Sequence, residues 1–395
     1  MNDSRMRVLS IYALLTIASC ASIPSNNGNA RDGKLYPYQD KAKWGFTDKQ
    51  KNILIPAQFD NMSYFFEGLA LVQIKDQFGF IDQRGKFVIP MLYEDGMHFA
   101  EGLAAVKSKG KYGFIDKKGR VRIEFKFDNA WWFDQGLAHV VKDGKHGYID
   151  RKGSGIIPFV YEYLSDIEQG LIAAKQNGRY GWLDKKGGVV IPLDYQEISA
   201  FKYGLARVRK SGSYGFVDER GKVVIPVEFE SAMMFETQVT FVKRNGKYGF
   251  YDISGRECQP VKYDYAWLPQ GGMFMVKADE KYGFVDTLGR EAIGLKYDRA
   301  EPFKKGMTVV TLGKKSGFID LSGKEIIPLI YDQVWPFFED YTKVMLDGKY
   351  GFIDRKGKEI TPIKYESAYQ FNNGSAAVKF NGVWGSIDST GAEHF

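Results

Sequence analysis

A residue pair ending in glycine returns every 34 residues along this chain. It stands at Trp44-Gly45, Phe78-Gly79, Tyr112-Gly113, His146-Gly147, Tyr180-Gly181, Tyr214-Gly215, Tyr248-Gly249, Tyr282-Gly283, Ser316-Gly317, Tyr350-Gly351 and Trp384-Gly385, with no insertion or deletion between copies. Eleven copies in one register must share one local structure. A unit this short cannot bury its own hydrophobic face, so neighbouring units have to stack. A chain of 395 residues would otherwise suggest two or three domains. Here the length reflects copy number.

Other columns keep the period. Four residues after the first member of each pair comes Asp, in all eleven copies from Asp48 to Asp388. Three residues further on comes Gly in ten copies, from Gly85 to Gly391, with Lys51 as the exception. A hydrophobic residue and Pro usually follow, as in Ile55-Pro56, Ile191-Pro192 and Ile327-Pro328, while Glu124 and Gly294 interrupt the Pro column. Next comes an aromatic residue with an acidic neighbour, as in Tyr263-Asp264, Tyr297-Asp298 and Tyr331-Asp332. Phe-x-x-Gly-Leu-Ala-x-Val closes the unit, as from Phe99 to Val106.

A 34-residue period also suits helical repeat arrays, but the local pattern excludes them. Each unit carries Gly and usually Pro, and no stretch sustains a 3.6-residue period. Residues 103–107 alternate and predict a first strand, 112–116 a second and 121–125 a third, with turns at 108–111 and 116–119. The chain's 44 Gly, 24 Tyr and 29 Phe suit many short strands and tight turns. The expected unit is therefore a three-stranded meander, and the expected class all-β.

The constant columns have mechanical explanations. Asp at the first turn position accepts a hydrogen bond from the backbone two residues on, and Gly at the fourth tolerates a left-handed conformation. Gly within the second strand admits a closely approaching backbone or ring. Pro after the third strand removes a donor and limits edge pairing. The Tyr and Phe columns are expected to pack between units.

An open, curved or superhelical stack is expected, with a closed propeller-like ring as the rival. Eleven sheets at about 10 Å spacing need a circumference of about 110 Å. Three strands at about 4.8 Å cannot fill the resulting radius of about 17 Å. The first unit also has its own candidate first strand at 35–39, and the last has two strands before Phe395.

This pattern resembles the WG repeat family, named for its Trp-Gly pair, over residues 35–395. Trp precedes the Gly only in the first and last copies, so the Trp itself cannot be the functional group. The resemblance implies a β-repeat fold and a bacterial envelope or secreted context, and no reaction.

The amino terminus is read apart from the repeats. Arg5 and Arg7 precede an apolar run from Val8 to Ala18, too short to span a bilayer and suited to a signal-peptide core. Ile17-Ala18-Ser19-Cys20 resembles a bacterial lipobox, which implies removal of 1–19 and lipidation of Cys20. Ala21 after the Cys implies, by the same resemblance, the outer membrane. Polar residues in 20–34 are read as a flexible tether. Cys258 is the only other cysteine, so a lipidated Cys20 leaves no intramolecular disulfide. Cys258 itself reads as an inert thiol.

A net charge of +7, with Lys spread over turns beside Asp, reads as a solvated surface and not as a nucleic-acid footprint. The Asp ladder invites a calcium reading, but Lys pairs such as Lys117-Lys118 occupy the turns. No metal or cofactor is expected. His98, His139, His146 and His394 fall in four different copies, and no catalytic motif is present, so the chain is read as non-enzymatic. Specificity then belongs to columns that vary. One runs Ser63, Met97, Trp131, Ser165, Ser199, Met233, Trp267, Glu301, Trp335, Tyr369, with Trp132 beside the first Trp. Trp131, Trp132, Trp267, Trp335 and Tyr369 are the candidate binding surface, first for a protein partner and alternatively for a glycan.

Overall fold

The computed structural model describes residues 35–395. The signal segment, Cys20 and the tether lie outside the described residues. Two compact units emerge: 35–126 with 132–134, and 127–131 with 135–395. Among the described residues the regular elements are all strands, arranged in eleven sheets of consecutive strands. None of these sheets closes into a barrel, and none mixes strands from the two ends of the chain.

One sheet of the larger unit shows how the columns work. Strands Leu171–Gln176 and Arg179–Asp184 pair antiparallel from Leu171↔Asp184 to Gln176↔Arg179. Asn177 and Gly178 join them with φ of 52° and 73°. Two successive positive φ values define the hairpin turn whose twist matches that of its strands, which explains the Asn-Gly and Asp-Gly pairs here.

The third strand, Val189–Tyr195, meets the second only at Tyr180↔Tyr195, Trp182↔Ile191 and Leu183↔Val189. Between the first two pairings it bulges, and Pro192 sits exposed within that bulge. The strand is the outer edge of its sheet, where a missing donor costs no ladder bond. Gly181 faces the bulge. A Cβ there would lie 2.5 Å from the Ile191 carbonyl oxygen and 2.6 Å from that of Pro192. The Gly and Pro columns are thus two halves of one device.

The expected meander gains a fourth strand. Tyr163–Leu164 pairs with the first long strand through Tyr163↔Lys175 and Leu164↔Ala174 and forms the other edge. Two residues are too few for alternation to register in a sequence. The first sheet has three strands, beginning at Tyr36–Asp40, and the last includes a two-residue third strand, Glu393–His394, beyond the two expected.

The Asp column behaves as expected. Asp218 Oδ1 accepts from the backbone N–H of Arg220 and of Lys222, both at 2.9 Å, and Gly221 takes φ of 81°. In the first copy Lys51 adopts that conformation at 66°. The acid beside the aromatic column has a role that its position in sequence did not reveal. Asp332 accepts from the Asp347 N–H at 2.7 Å, in the hairpin turn of its own sheet, and pairs with Lys315 at 2.7 Å. Asp60 and Asp298 repeat the arrangement with Lys75 and Gly313 in the turns and Lys43 and Lys281 as ion-pair partners. The lysine hydrogen bond holds all three carboxyls below the usual carboxylate range.

Within each compact unit, successive sheets pack face to face. Trp182, Ile191 and Tyr195 meet Ala206, Val208 and Val217 of the next sheet. One period on, Phe216, Ile225 and Phe229 meet Ala232, Phe235 and Val242. The Phe column inserts edge-on into the preceding sheet: Phe80–Phe99 at 4.8 Å, Phe216–Phe235 at 5.0 Å and Phe352–Phe371 at 5.0 Å between ring centroids. Rings in this geometry gain about 1 kcal/mol beyond their buried area. The Tyr and Phe columns therefore do pack between neighbouring sheets.

Candidate functional site

The variable column begins just after the short edge strand. Its backbone N–H bonds the carbonyl eight residues on, as in Ser165 to Ala173 (2.9 Å) and Trp267 to Met275 (3.0 Å). Its side chain stands near the aromatic of the x-Gly pair fifteen residues on. Trp267 lies 6.0 Å from Tyr282, Trp335 6.0 Å from Tyr350 and Tyr369 5.6 Å from Trp384, between centroids. The aromatics at these positions therefore sit at equivalent places in their repeats, but their exposure differs.

Trp131 is half-buried and lies flat on the His139 ring, at 4.4 Å and 13°. Trp335 is also half-buried, with the Lys343 ammonium 4.2 Å above its ring. That ammonium donates to the Ala368 carbonyl at 2.8 Å, and burial pushes its pKa down. Trp267 lies 5.8 Å from Tyr265 and 6.0 Å from Tyr282, between centroids, and remains 37% exposed, beside Tyr265 at 57% and Leu268 at 49%. Tyr369 is 65% exposed. In the smaller unit Trp132 is open on one side and tilts against His98, which stacks on Phe66 at 4.0 Å. Two of the candidate Trp residues thus serve packing in part, and Trp267 and Tyr369 offer the open rings of this column.

Two features escaped the sequence reading. The first is a histidine pair. His139 Nε2 and His146 Nδ1 are 2.9 Å apart. Counting from each x-Gly pair assigns them to different copies, but the sheet begins one strand earlier and holds both. His139 lies between Trp131 and Tyr148 and is buried; burial, then the nearby His146, pushes its pKa down to about 3. Burial also lowers His146. The usable signal was a His seven residues before the His of an x-Gly pair, with a two-residue turn between.

The second is a set of grooves between successive sheets, all at one place in the repeat. The groove at Ser165 has a volume of 510 Å³, that at Glu301 570 Å³ and that at Ser63 210 Å³. Each opens where the variable column carries a residue smaller than Trp. At the first of these the signal was the small pair Ser165 and Ala173, which only the strand register brings together.

The Asp ladder offers turn chemistry. Each Oδ1 from Asp82 to Asp388 engages backbone donors, as at Asp116 and Asp354. Among the described residues no group of three or more His, Cys, Asp or Glu is placed to hold a metal ion. Cys258 is half-buried, and burial raises its thiol pKa, which works against nucleophilic reactivity.

A family model described as "WG containing repeat" matches residues 44–77, 78–112, 112–145, 147–180, 180–213, 214–248, 248–282, 282–315, 317–350 and 350–384. Eleven x-Gly pairs bound ten such intervals. The two matches that begin at the Gly itself, at 147 and 317, follow His146 and Ser316, the two copies with no Trp, Tyr or Phe in that column. Comparison with curated protein sequences finds no match. Among solved structures, the chain is similar to the extracellular domain of a one-component system from B. thetaiotaomicron, at 10% identity, covering 93% of this chain and 70% of that one, with a TM-score of 0.26. A eukaryotic initiation factor matches at 13% identity over 92% and 94%, with a TM-score of 0.28. PorZ, a surface component of the type-IX secretion system of Porphyromonas gingivalis, matches at 8% identity over 84% and 58%, with a TM-score of 0.25. Scores this low carry no argument about function.

Proposed function

The chain belongs to the WG-containing repeat family, and from that premise we propose that it is a non-enzymatic scaffold of the bacterial cell envelope that holds a protein partner. The observation that carries this reading is the exposed cluster of Tyr265, Trp267 and Leu268. Rigid aromatic rings with one open face are the usual anchors of protein interfaces, because they bury much area for little lost side-chain freedom. Nothing in the packing of sheets needs Trp267 to stay open, since Trp131 and Trp335 in the same column are drawn further in.

The envelope location rests on Cys20. In this proposal residues 1–19 are removed, Cys20 carries the lipid anchor to the outer membrane, and residues 20–34 tether the repeats. A Cys20→Ala variant is expected to leave the membrane fraction and fail to incorporate labelled palmitate. A variant that stays in that fraction, or still takes up label, would refute the anchor.

The partner reading has its own test. A photo-crosslinker at position 268 is expected to trap a protein, and Trp267→Ala to lower that yield at least about tenfold, as loss of a hot-spot aromatic does. The thermal midpoint should move little. Crosslinking unchanged by Trp267→Ala would remove this surface from consideration.

A further inference from the structure

The variable column decides whether the space between two successive sheets is filled. Each member works with the strand residue eight positions on. Met233 pairs in this way with Phe241 and Trp267 with Met275, Trp131 stacks on His139, and Phe241, Met275 and His139 are all buried. At Ser165 the corresponding residue is Ala173, so both are small. The 510 Å³ groove opens there, between the sheet of Leu171–Gln176 and the next. Leu171 and Ala173 stand half-open, although Leu137 and His139, one period earlier, are buried. Leaving apolar surface wet forfeits about 25 cal/mol per Å². Met233 with Phe241, Trp267 with Met275 and Trp131 with His139 occupy this space in their own repeats, and the grooves at Ser63 and Glu301 share the opening but not the lining of Tyr163, Glu168 and Tyr180.

The lining has a definite chemistry. Tyr163 stands at the rim, 45% exposed, with its ring 6.3 Å from that of His146 between centroids. The Tyr180 hydroxyl makes no hydrogen bond among the described residues. Its counterparts differ: Tyr112 donates to Asp95, and Tyr214 donates to Glu197 at 3.2 Å. The position seventeen residues before Tyr180 holds Tyr163 instead of an acid. Lys175 lies 5.0 Å above the Tyr180 ring, so Tyr180 presents its hydroxyl more than its face. The Glu168 carboxylate is exposed, lines the groove, and has neither hydrogen bond nor ion pair among the described residues. Glu197 also lines the groove, neutralised by Arg209 at 2.6 Å.

We propose that this groove is a saccharide-binding site that takes a short, uncharged pyranose oligosaccharide. The C–H face of a pyranose ring packs on the Tyr163 ring, and its hydroxyls bond the Glu168 carboxylate and the Tyr180 hydroxyl. An aliphatic ligand would bury those polar groups unpaired, at a cost. An anionic one would meet Glu168. The volume lies within the range of about 300–1,000 Å³ usual for small-ligand sites. The site needs no protein partner at Trp267, and it moves the glycan reading of the sequence from the Trp column to the repeat where that column is small.

The test uses the repeat's own solution to the same space. Chitotriose, maltotriose and cellotriose are titrated calorimetrically into the full chain, with trigalacturonate as the anionic control. At least one neutral trisaccharide is expected to bind saturably, and more tightly than trigalacturonate. Ser165→Trp, which installs the residue already present at 131, 267 and 335, is expected to weaken that binding at least about tenfold with the unfolding midpoint unchanged or raised. Should that variant fold poorly, Ser165→Met with Ala173→Phe reproduces the Met233–Phe241 pair and must give the same loss. Glu168→Ala weakens binding without changing stability, and Trp267→Ala leaves it intact. No binding of any neutral trisaccharide, tighter binding of trigalacturonate, or full binding by the filled variants would overturn the assignment. So would a peptide that alone occupies the groove.

Discussion

Gly181→Val is expected to detach the outer strand Val189–Tyr195 from its sheet. The added Cβ would meet two carbonyl oxygens at 2.5 and 2.6 Å, and both belong to backbone that Pro192 already restrains. Relief requires the bulge to move, which breaks the Tyr180↔Tyr195 and Trp182↔Ile191 pairings on either side. Overpacking of this kind costs about 3 kcal/mol. Because each unit contacts mainly its neighbours, the loss should stay local, and hydrogen exchange should rise across 179–195 and the sheets next to it. Gly178→Ala makes the contrast. No atom lies within 4 Å of its added Cβ, and its φ of 73° alone is strained, for a cost of about 1 kcal/mol. Equal losses in urea unfolding would sink the bulge argument.

The histidine pair should make the sheet around it acid-sensitive. His139 titrates near pH 3 when folded, whereas an unfolded histidine takes its proton near pH 6.5. Between those values the unfolded chain binds more protons, so stability falls as pH falls. The contribution is fully present above about pH 7 and declines by about 1.4 kcal/mol per pH unit below 6.5. At pH 5 the expected loss is about 2 kcal/mol, localised to 137–150. His139→Phe with His146→Tyr installs the pair found at Phe241 and Tyr248, whose rings pack edge to face at 5.7 Å. That variant should lose the extra slope while keeping the general acid response of the carboxylates. Native and variant proteins with the same exchange profile between pH 7 and pH 5 would refute the account.

Much of the molecule was legible in the residues because its constraints are local. A turn that needs φ above zero shows itself as Asn-Gly or Asp-Gly, and an Asp that accepts from backbone two and four residues on shows itself by spacing. Eleven copies made each such column visible against the variation around it. The two-residue edge strands stayed hidden, since a strand of that length has no periodicity. The role of acids such as Asp332 stayed hidden too, because their bonds reach fifteen residues ahead.

The sequence by itself determined an all-β repeat, its three long strands and the residues of its turns, because these depend mainly on near neighbours along the chain. Tertiary structure alone decided which aromatics are open and where space remains between sheets. Trp131, Trp267 and Trp335 occupy one column and are indistinguishable as letters, yet Trp131 lies on a buried histidine, Trp335 lies under a lysine and Trp267 stands open. Exposure of a side chain depends on the volume of residues brought beside it by pairing across strands. Ser165 and Ala173 form a groove only because the register places them together, and no single column carries that sum.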